Sequence, residues 1–393
     1  MDKQIKRKIL FINSVCNGST GKICKDLYDI ATNEGYECCI AYGRGEAPNG
    51  YKTIKIGNEF DVYAHVAKTR LFDEHGFGSK RATTLFLKQV DLFKPDIIHL
   101  HNIHGYYINI ELLFDYLKQH NEIKVIWTLH DCWAFTGHCA YFTFSKCDQW
   151  IDGCRNCQSL KDYPKNILFS SVNKNYFQKK NLFTSLNNLF LVTPSNWLKE
   201  LVKQSFLKEY PCFVIHNGID THLFKKKDII RNNKVNILGV ANVWDNRKGL
   251  KDFYELNNII DHNKFEITLV GLSDKQLKTL PNNILGIKRT KNIEELVDIY
   301  NKADILFNPT LEDNYPTVNL EAQACGTPVA TYNNGGSRET LFSRECFVVS
   351  SLQEFITIIE NNDLKMNKIN FHIDLDELDK NKKMKEYIDL YKL

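Results

Sequence analysis

The chain is 393 residues long, 43% hydrophobic and 25% charged, which fits a soluble globular protein of two or three domains. No window approaches the ~18 consecutive apolar residues of a membrane span, and MDKQIKRKILFINS runs from a basic segment into about five apolar residues, too few for a signal-peptide core, so a cytoplasmic protein is expected. The net charge of +4 is mildly uneven, 24 Lys+Arg against 19 Asp+Glu in residues 1–196 and 27 against 28 in the rest; that is weak for a nucleic-acid binder but compatible with contact at an anionic inner-membrane face.

In chain order, short apolar, β-branched or aromatic runs alternate with segments of helical spacing. The first half reads as strands at 8–14, 37–43, 97–102, 124–131 and 189–195, the second as strands at 213–218, 235–242, 265–271, 303–309 and 327–333. GKICKDLYDIATNEG, INIELLFDYLKQHN and NIEELVDIYNKA carry apolar residues at helical intervals. Parallel neighbours need a crossover, so this alternation predicts an α/β protein with parallel sheets covered on both faces. Two sheets suit the length better than one, placing a Rossmann-like domain at about 1–195 and a second at about 213–372. DELDKNKKMKEYIDLYKL adds an amphipathic helix at 376–393, expected to pack back on the N-terminal domain. Without a long Pro/Gly/Ser linker, the two halves are expected to meet across a cleft, with ligands beyond the carboxyl ends of the strands.

Several turns carry chemistry. VCNGSTGKICKDL joins the first strand to the first helix through Gly18, Ser19, Thr20 and Gly21 without forming a full GxGxxG; an ordinary capped connection reads almost as well. HLHNIHGYYIN and TLHDCWAFTGHCAYF set His101, His104, His130 and His138 after two strands. Cys139, Cys147, Cys154 and Cys157 fall in one polar loop, 138–157, that ends in C-x2-C; structural zinc is expected, against free thiols or a regulated disulfide. VANVWDNRKGLKDF offers Arg247 and Lys248 as cations, with a solvated surface pair as the ordinary alternative. The basic and aromatic run 65–90 reads first as an amphipathic helix and loop, with acceptor or lipid contact as the sharper reading.

The segment ADILFNPTLEDNYPTVNLEAQACGTPV is the most informative. A strand ends at Pro309, a loop carries Glu312 and Asp313, Pro316 suits a first helical turn, and Gly326 stops the helix. Amides near Thr317, Val318 and Asn319 would then be unpaired donors at a positive dipole end, suited to a diphosphate. Glu321 lies more than a turn further in, so the two acids can reach different parts of one bound molecule.

These residues resemble retaining glycosyltransferases of family 4, whose GT-B fold sets two Rossmann-like domains face to face. The marker is an acid, seven residues, then Glu, followed by an EAxACGxPV-type helix; Asp313 and Glu321 match it, with Asp in place of the commoner first Glu. The resemblance implies a nucleotide-sugar donor whose ribose is held by Glu321 and whose sugar is faced by Asp313 and His130. NNGGSRET is similar to the family's GGxxE segment, with Glu339 a structural acceptor, and VIHNGID and TPSNW resemble its interdomain segments. Gly18, Ser19, Thr20 and Gly21 would lie near the diphosphate, and His101, His104 and His138 would face the acceptor. One departure is clear: Val243 occupies the position of the family's usual Arg, five residues before Lys248, and Arg247 is expected to compensate.

The resemblance therefore implies a retaining transferase that moves a sugar onto a bacterial surface polysaccharide or its lipid-linked precursor, without a catalytic metal and without a nucleic-acid partner. The cysteine loop resembles one in a polysaccharide-assembly branch of the family. A nucleotide-sugar 2-epimerase of the same architecture and a zinc-dependent scaffold are the alternatives. An NAD-dependent oxidoreductase is disfavoured by the missing glycine fingerprint.

Overall fold

The structure, a computed structural model, describes residues 6–228, 233–369 and 371–393. The chain divides into two compact units, Met1–Ile215 with Met384–Leu393, and His216–Lys383.

The first unit is built on β1 (Lys8–Val15), β2 (Glu37–Arg44), β3 (Thr53–Lys55), β4 (Ile97–Leu100), β5 (Lys124–Thr128), β6 (Leu189–Thr193) and β7 (Cys212–Val214). All pair in parallel, in the order β3-β2-β1-β4-β5-β6-β7. The middle strands are buried on both faces, so they read as unbroken apolar runs such as ILFI in β1. Leu10 of β1 registers with both Cys39 of β2 and Ile98 of β4. The strand order reverses between β1 and β4, and a crevice beyond the carboxyl ends of such strands is where open parallel sheets bind ligands.

The second unit repeats the plan with β8 (Val235–Val240), β9 (Phe265–Val270), β10 (Ile284–Ile287), β11 (Ile305–Asn308), β12 (Val329–Tyr332) and β13 (Phe347–Val349). Their order is β10-β9-β8-β11-β12-β13, again all parallel, with the reversal between β8 and β11. Phe307 of β11 stacks flat on Phe355 of the helix Leu352–Asn361, ring centroids 3.8 Å apart, which ties that helix to the centre of the sheet.

Three strands escape the sequence reading: β3, β10 and β13. All are short and lie at or next to solvent, so no apolar run announces them. The run 213–218 was read with the second half, but its strand, β7, pairs with β6 in the first sheet.

The helix Lys380–Lys392 belongs largely to the first unit, where Met384, Tyr387, Ile388 and Tyr391 pack with Phe11, Ile97 and Ile126. Tyr391 and the buried His99 of β4 are hydrogen-bonded, hydroxyl to Nδ1, at 2.7 Å. Tyr391→Phe keeps the packing but leaves that nitrogen unpaired, so it is expected to lower unfolding free energy by about 1–3 kcal/mol in denaturant titration. A loss under about 0.5 kcal/mol would mean that the bond contributes little to holding the helix.

Candidate active site

In the second unit the predicted groups gather at the β8/β11 reversal. β11 ends at Asn308, the loop 309–316 follows, and the helix Thr317–Ala324 begins directly after it. Pro316 occupies the cap position rather than the first turn, and no side chain caps this helix start. The Asn319 amide donates to Pro316 O at 3.2 Å, so it is not an unpaired donor as expected; Thr317 and Val318 remain the two amides at the helix mouth.

Lys248 Nζ donates to Asp313 Oδ2, a pair in which both side chains keep partial access to solvent. Arg247 Nη1 donates to Glu312 O at 3.0 Å, and the Leu311 amide donates to Arg247 O at 2.8 Å. The basic turn is thereby sewn to the acidic loop. Gly249, at φ +74°, makes this possible: a Cβ there would stand 2.3 Å from Pro309 O. Val243 is largely exposed.

Glu321 is half-buried and accepts from Tyr300 Oη at 2.8 Å, which fixes one carboxylate oxygen. Deeper in, Asn308 Nδ2 donates to Asn319 Oδ1 and Asn319 Nδ2 donates to Thr340 Oγ1, each at 2.8 Å. Gln323 Nε2 donates to Thr340 O at 2.7 Å, and Gln323 Oε1 accepts from the Phe342 amide. These fully buried amides lock the helix to the NNGGSRET turn. Gly335 completes the junction, because at φ +61° its missing Cβ would lie 2.0 Å from Asp313 O, and the Gly336 amide donates to that same oxygen at 3.0 Å. Sequence reasoning missed the Asn319–Gln323 lock. Its signal was two amide side chains one turn apart on the inner face of a helix.

In the first unit, Gly18 opens the helix Gly18–Asn33 at φ +74° with open space around its Cα, beside exposed Ser19. Gly21 cannot carry a side chain, since a Cβ would meet the Cys16 backbone at 2.4 Å. Asn13 Nδ2 donates to Thr20 Oγ1 and to Val15 O, holding the turn.

The histidines form two groups. His99, His101 and His130 stack in series, with centroids 4.3 Å and then 5.3 Å apart, and His101 Nδ1 meets His130 Nε2 at 3.0 Å, so one ring must donate and the other accept. His104 pairs with Asp131 at 3.0 Å and with the Tyr163 hydroxyl at 3.1 Å, among the rings of His75 and Trp133. His138 joins neither group: its Nδ1 lies 2.5 Å from Asp73 Oδ1. Asp131, His75 and Tyr163 were not foreseen, although Asp131 sits next to His130 in the sequence.

Burial withholds protons from these rings. It pushes His99 and His65 down to about 3, His130 to about 4, and His75 and His101 well below the usual range. Among the described residues, no group of three or more His, Cys, Asp or Glu stands arranged to hold a metal ion. Nor is any helix long and apolar enough to cross a membrane.

The chain matches known proteins along both units. A family model described as Glycosyltransferase Family 4 matches residues 24–223, and one described as Glycosyl transferases group 1 matches residues 234–361. WcaC of Escherichia coli K12, named as a colanic acid biosynthesis glycosyl transferase, is 23% identical over 346 residues, 83% of each chain. Among solved structures, sucrose-phosphate synthase from Thermosynechococcus elongatus superposes with a TM-score of 0.69 at 13% identity over 98% of both chains. HepE of Anabaena in complex with UDP gives 0.65 at 11% identity over 98% of this chain and 100% of its own. At such identities the likeness shows the fold, which is GT-B.

The buried rings of His65, His75, His99, His101 and His130 give a pH signature. Unfolded, each would titrate near about 6.5 and take up a proton that the folded state refuses, so stability is full above about pH 6.5 and falls toward about pH 3. Each ring contributes up to about 1.4 kcal/mol per pH unit inside that window. Denaturant titrations stepped through the window should show this decline. A flat profile would mean that the rings are already protonated in the folded state.

Proposed function

Because this chain belongs to glycosyltransferase family 4, we propose that it transfers a sugar from a nucleoside-diphosphate sugar, with retention at the anomeric carbon, to a polysaccharide or lipid-linked oligosaccharide. One observation carries the reading: the helix at Thr317 starts without a capping side chain, beyond the strand reversal, with Asp313, paired to Lys248, four residues ahead and Glu321 just inside. An uncapped helix start offers amide donors and a positive dipole end to a diphosphate.

The chemical difficulty is to part diphosphate from sugar while positive charge grows on the ring carbon. Lys248 meets the departing charge first. An ammonium has three donors, so it can keep Asp313 while turning another toward a phosphate oxygen. Arg247 has five N–H donors, of which Nη1 serves Glu312 O. With these cations and the Thr317 and Val318 amides on the leaving group, the reading assigns no catalytic metal. Asp313, held by Lys248 on one side and by the Gly336 amide at its carbonyl, is assigned to the sugar hydroxyls, and Glu321 to the ribose. The Gly18–Gly21 turn is assigned to the diphosphate, His130 to the sugar, and His101 and His104 to the acceptor.

An exposed apolar surface supports a lipid-linked acceptor. Phe60, Tyr63, Leu71 and Phe72 of the helix Glu59–Phe72 and the segment Ile167–Phe169 all reach solvent. The two pieces are joined: the Ile167 amide donates to Arg70 O, and Phe72 stacks on Phe169 at 6.0 Å. Exposed Lys68 and Arg70 on that helix, and Lys161 and Lys165 just before Ile167, add positive charge, as an anionic membrane face would favour.

Purified protein incubated with a panel of nucleotide-sugars and lipid-linked acceptors should yield a glycosylated product, with NMR reporting an unchanged anomeric configuration. Lys248→Ala should lower kcat by about 10²–10³. Glu321→Ala should raise the donor KM by about 10–100-fold, the loss of a charged hydrogen-bond acceptor. Melting temperatures of both variants separate these effects from unfolding. Inversion at the anomeric carbon, or free epimerised donor without acceptor, would reject the proposal.

A further inference from the structure

The loop after His138 has chemistry that the transfer reaction does not use. Cys139, Cys147, Cys154 and Cys157 all line one small cavity, together with His138, Phe142 and Trp150. Its volume, about 10 Å³, matches one water-sized body. The loop is already anchored by apolar packing, with Phe142 stacked on Trp150 at 4.8 Å and Phe135 against Trp150 at 5.3 Å.

The surroundings of the sulphurs are those of a supported ligand set. Cys154 Sγ accepts from the Gly137 amide at 3.2 Å, and the Ser159 amide donates to Cys157. Gln149 braces the turn between Cys154 and Cys157, its Oε1 accepting from the Arg155 and Asn156 amides, each at 3.0 Å. Gly137 cannot be replaced without displacing this turn, because a Cβ would lie 2.3 Å from Val172 O and 2.9 Å from Cys154 Cβ.

An independent observation points to a missing occupant. His138 is buried, its Nδ1 is fixed by Asp73, and its Nε2 has no hydrogen-bond partner although it lines the same cavity. A buried ring nitrogen left unpaired is destabilising. With Nδ1–H given to the Asp73 carboxylate, Nε2 is a lone pair in the neutral ring; a thiol proton passed to it when a metal binds would turn it into a donor to the resulting thiolates, with Asp73 balancing the ring's charge.

We propose that Cys139, Cys147, Cys154 and Cys157 bind one zinc ion as a closed tetrahedral set, with the Asp73–His138 pair supporting the sulphurs from outside the coordination shell. As they stand, the thiols do not yet converge on a point, and Cys139 and Cys157 hydrogen-bond to each other. Cys147 and Cys157 are half-buried, and the proposal requires their side chains to turn toward the cavity when the metal binds. Binding removes four thiol protons, one kept at His138 Nε2 and three released to solvent, and leaves the Zn²⁺ cluster with a net charge of about −2, as in Cys₄ structural sites. Lys179, buried within electrostatic reach of Cys139 and Cys154, would offset part of it when protonated. With four thiolates no open position remains, so the metal is structural.

The test uses the full-length chain, purified without added metal or chelator, with zinc measured by inductively coupled plasma mass spectrometry. About one zinc per chain is expected. After zinc removal, Co²⁺ should restore one tetrahedral site with a thiolate-to-metal charge-transfer band. Cys147→Ser, at one of the two half-buried ligands, should weaken Co²⁺ binding at least 10-fold and reduce that band. His138→Ala should keep the band while weakening affinity by about 10–100-fold. Zinc well below stoichiometric with no charge-transfer band, or mass spectra showing a disulfide among these four cysteines in the native protein, would overturn the proposal.

Discussion

The candidate site depends on one constraint: a helix must begin at Thr317 with its first amides uncovered, and its mouth must be framed without a protein side chain stopping it. Short residues at several places secure this. Pro316 supplies no side-chain acceptor, so the cap position leaves the donors unserved. Gly249 lets the basic turn lie on the Pro309 carbonyl, and Gly335 lets the following turn lie on that of Asp313. Any side chain at either glycine would push the acidic loop away from the helix start.

Buried amides then make the arrangement rigid. Asn308, Asn319, Gln323 and Thr340 satisfy one another across β11, the helix and the turn after β12, so the helix cannot rotate without breaking several bonds in a dry environment. Such a network favours one orientation over its alternatives. Glu321 gains from it directly, because its backbone is fixed by the lock and one carboxylate oxygen by Tyr300. The ion pair of Lys248 with Asp313 plays a different part, since it keeps an ammonium and a carboxylate poised at the mouth while each retains contact with water.

Much of this was legible in the sequence where chemistry and chain proximity coincide. The strand, loop and helix from Ala303 to Gly326 could be read because an apolar run, Pro316 and a Gly stop follow one another. The central strands could be read because burial on both faces makes them continuously apolar. Three of the four edge strands could not: β3, β10 and β13 have faces open to solvent and carry no such pattern. Pairings across the fold were hidden for another reason. Lys248 with Asp313, His138 with Asp73, and His99 with Tyr391 join residues 65, 65 and 292 positions apart, and only the strand order brings them together. The bond from the Asn319 amide to Pro316 O likewise depends on a tight first turn that residue types alone did not reveal.

The most direct measurement is amide hydrogen exchange with and without a nucleoside diphosphate. Bound diphosphate should slow exchange at Thr317 and Val318, with weaker slowing around Gly335–Ser337, and the protection should be lost in Lys248→Ala at the same ligand concentration. Unchanged exchange at 317–318 under saturating ligand, or protection confined to segments far from that helix start, would contradict the account.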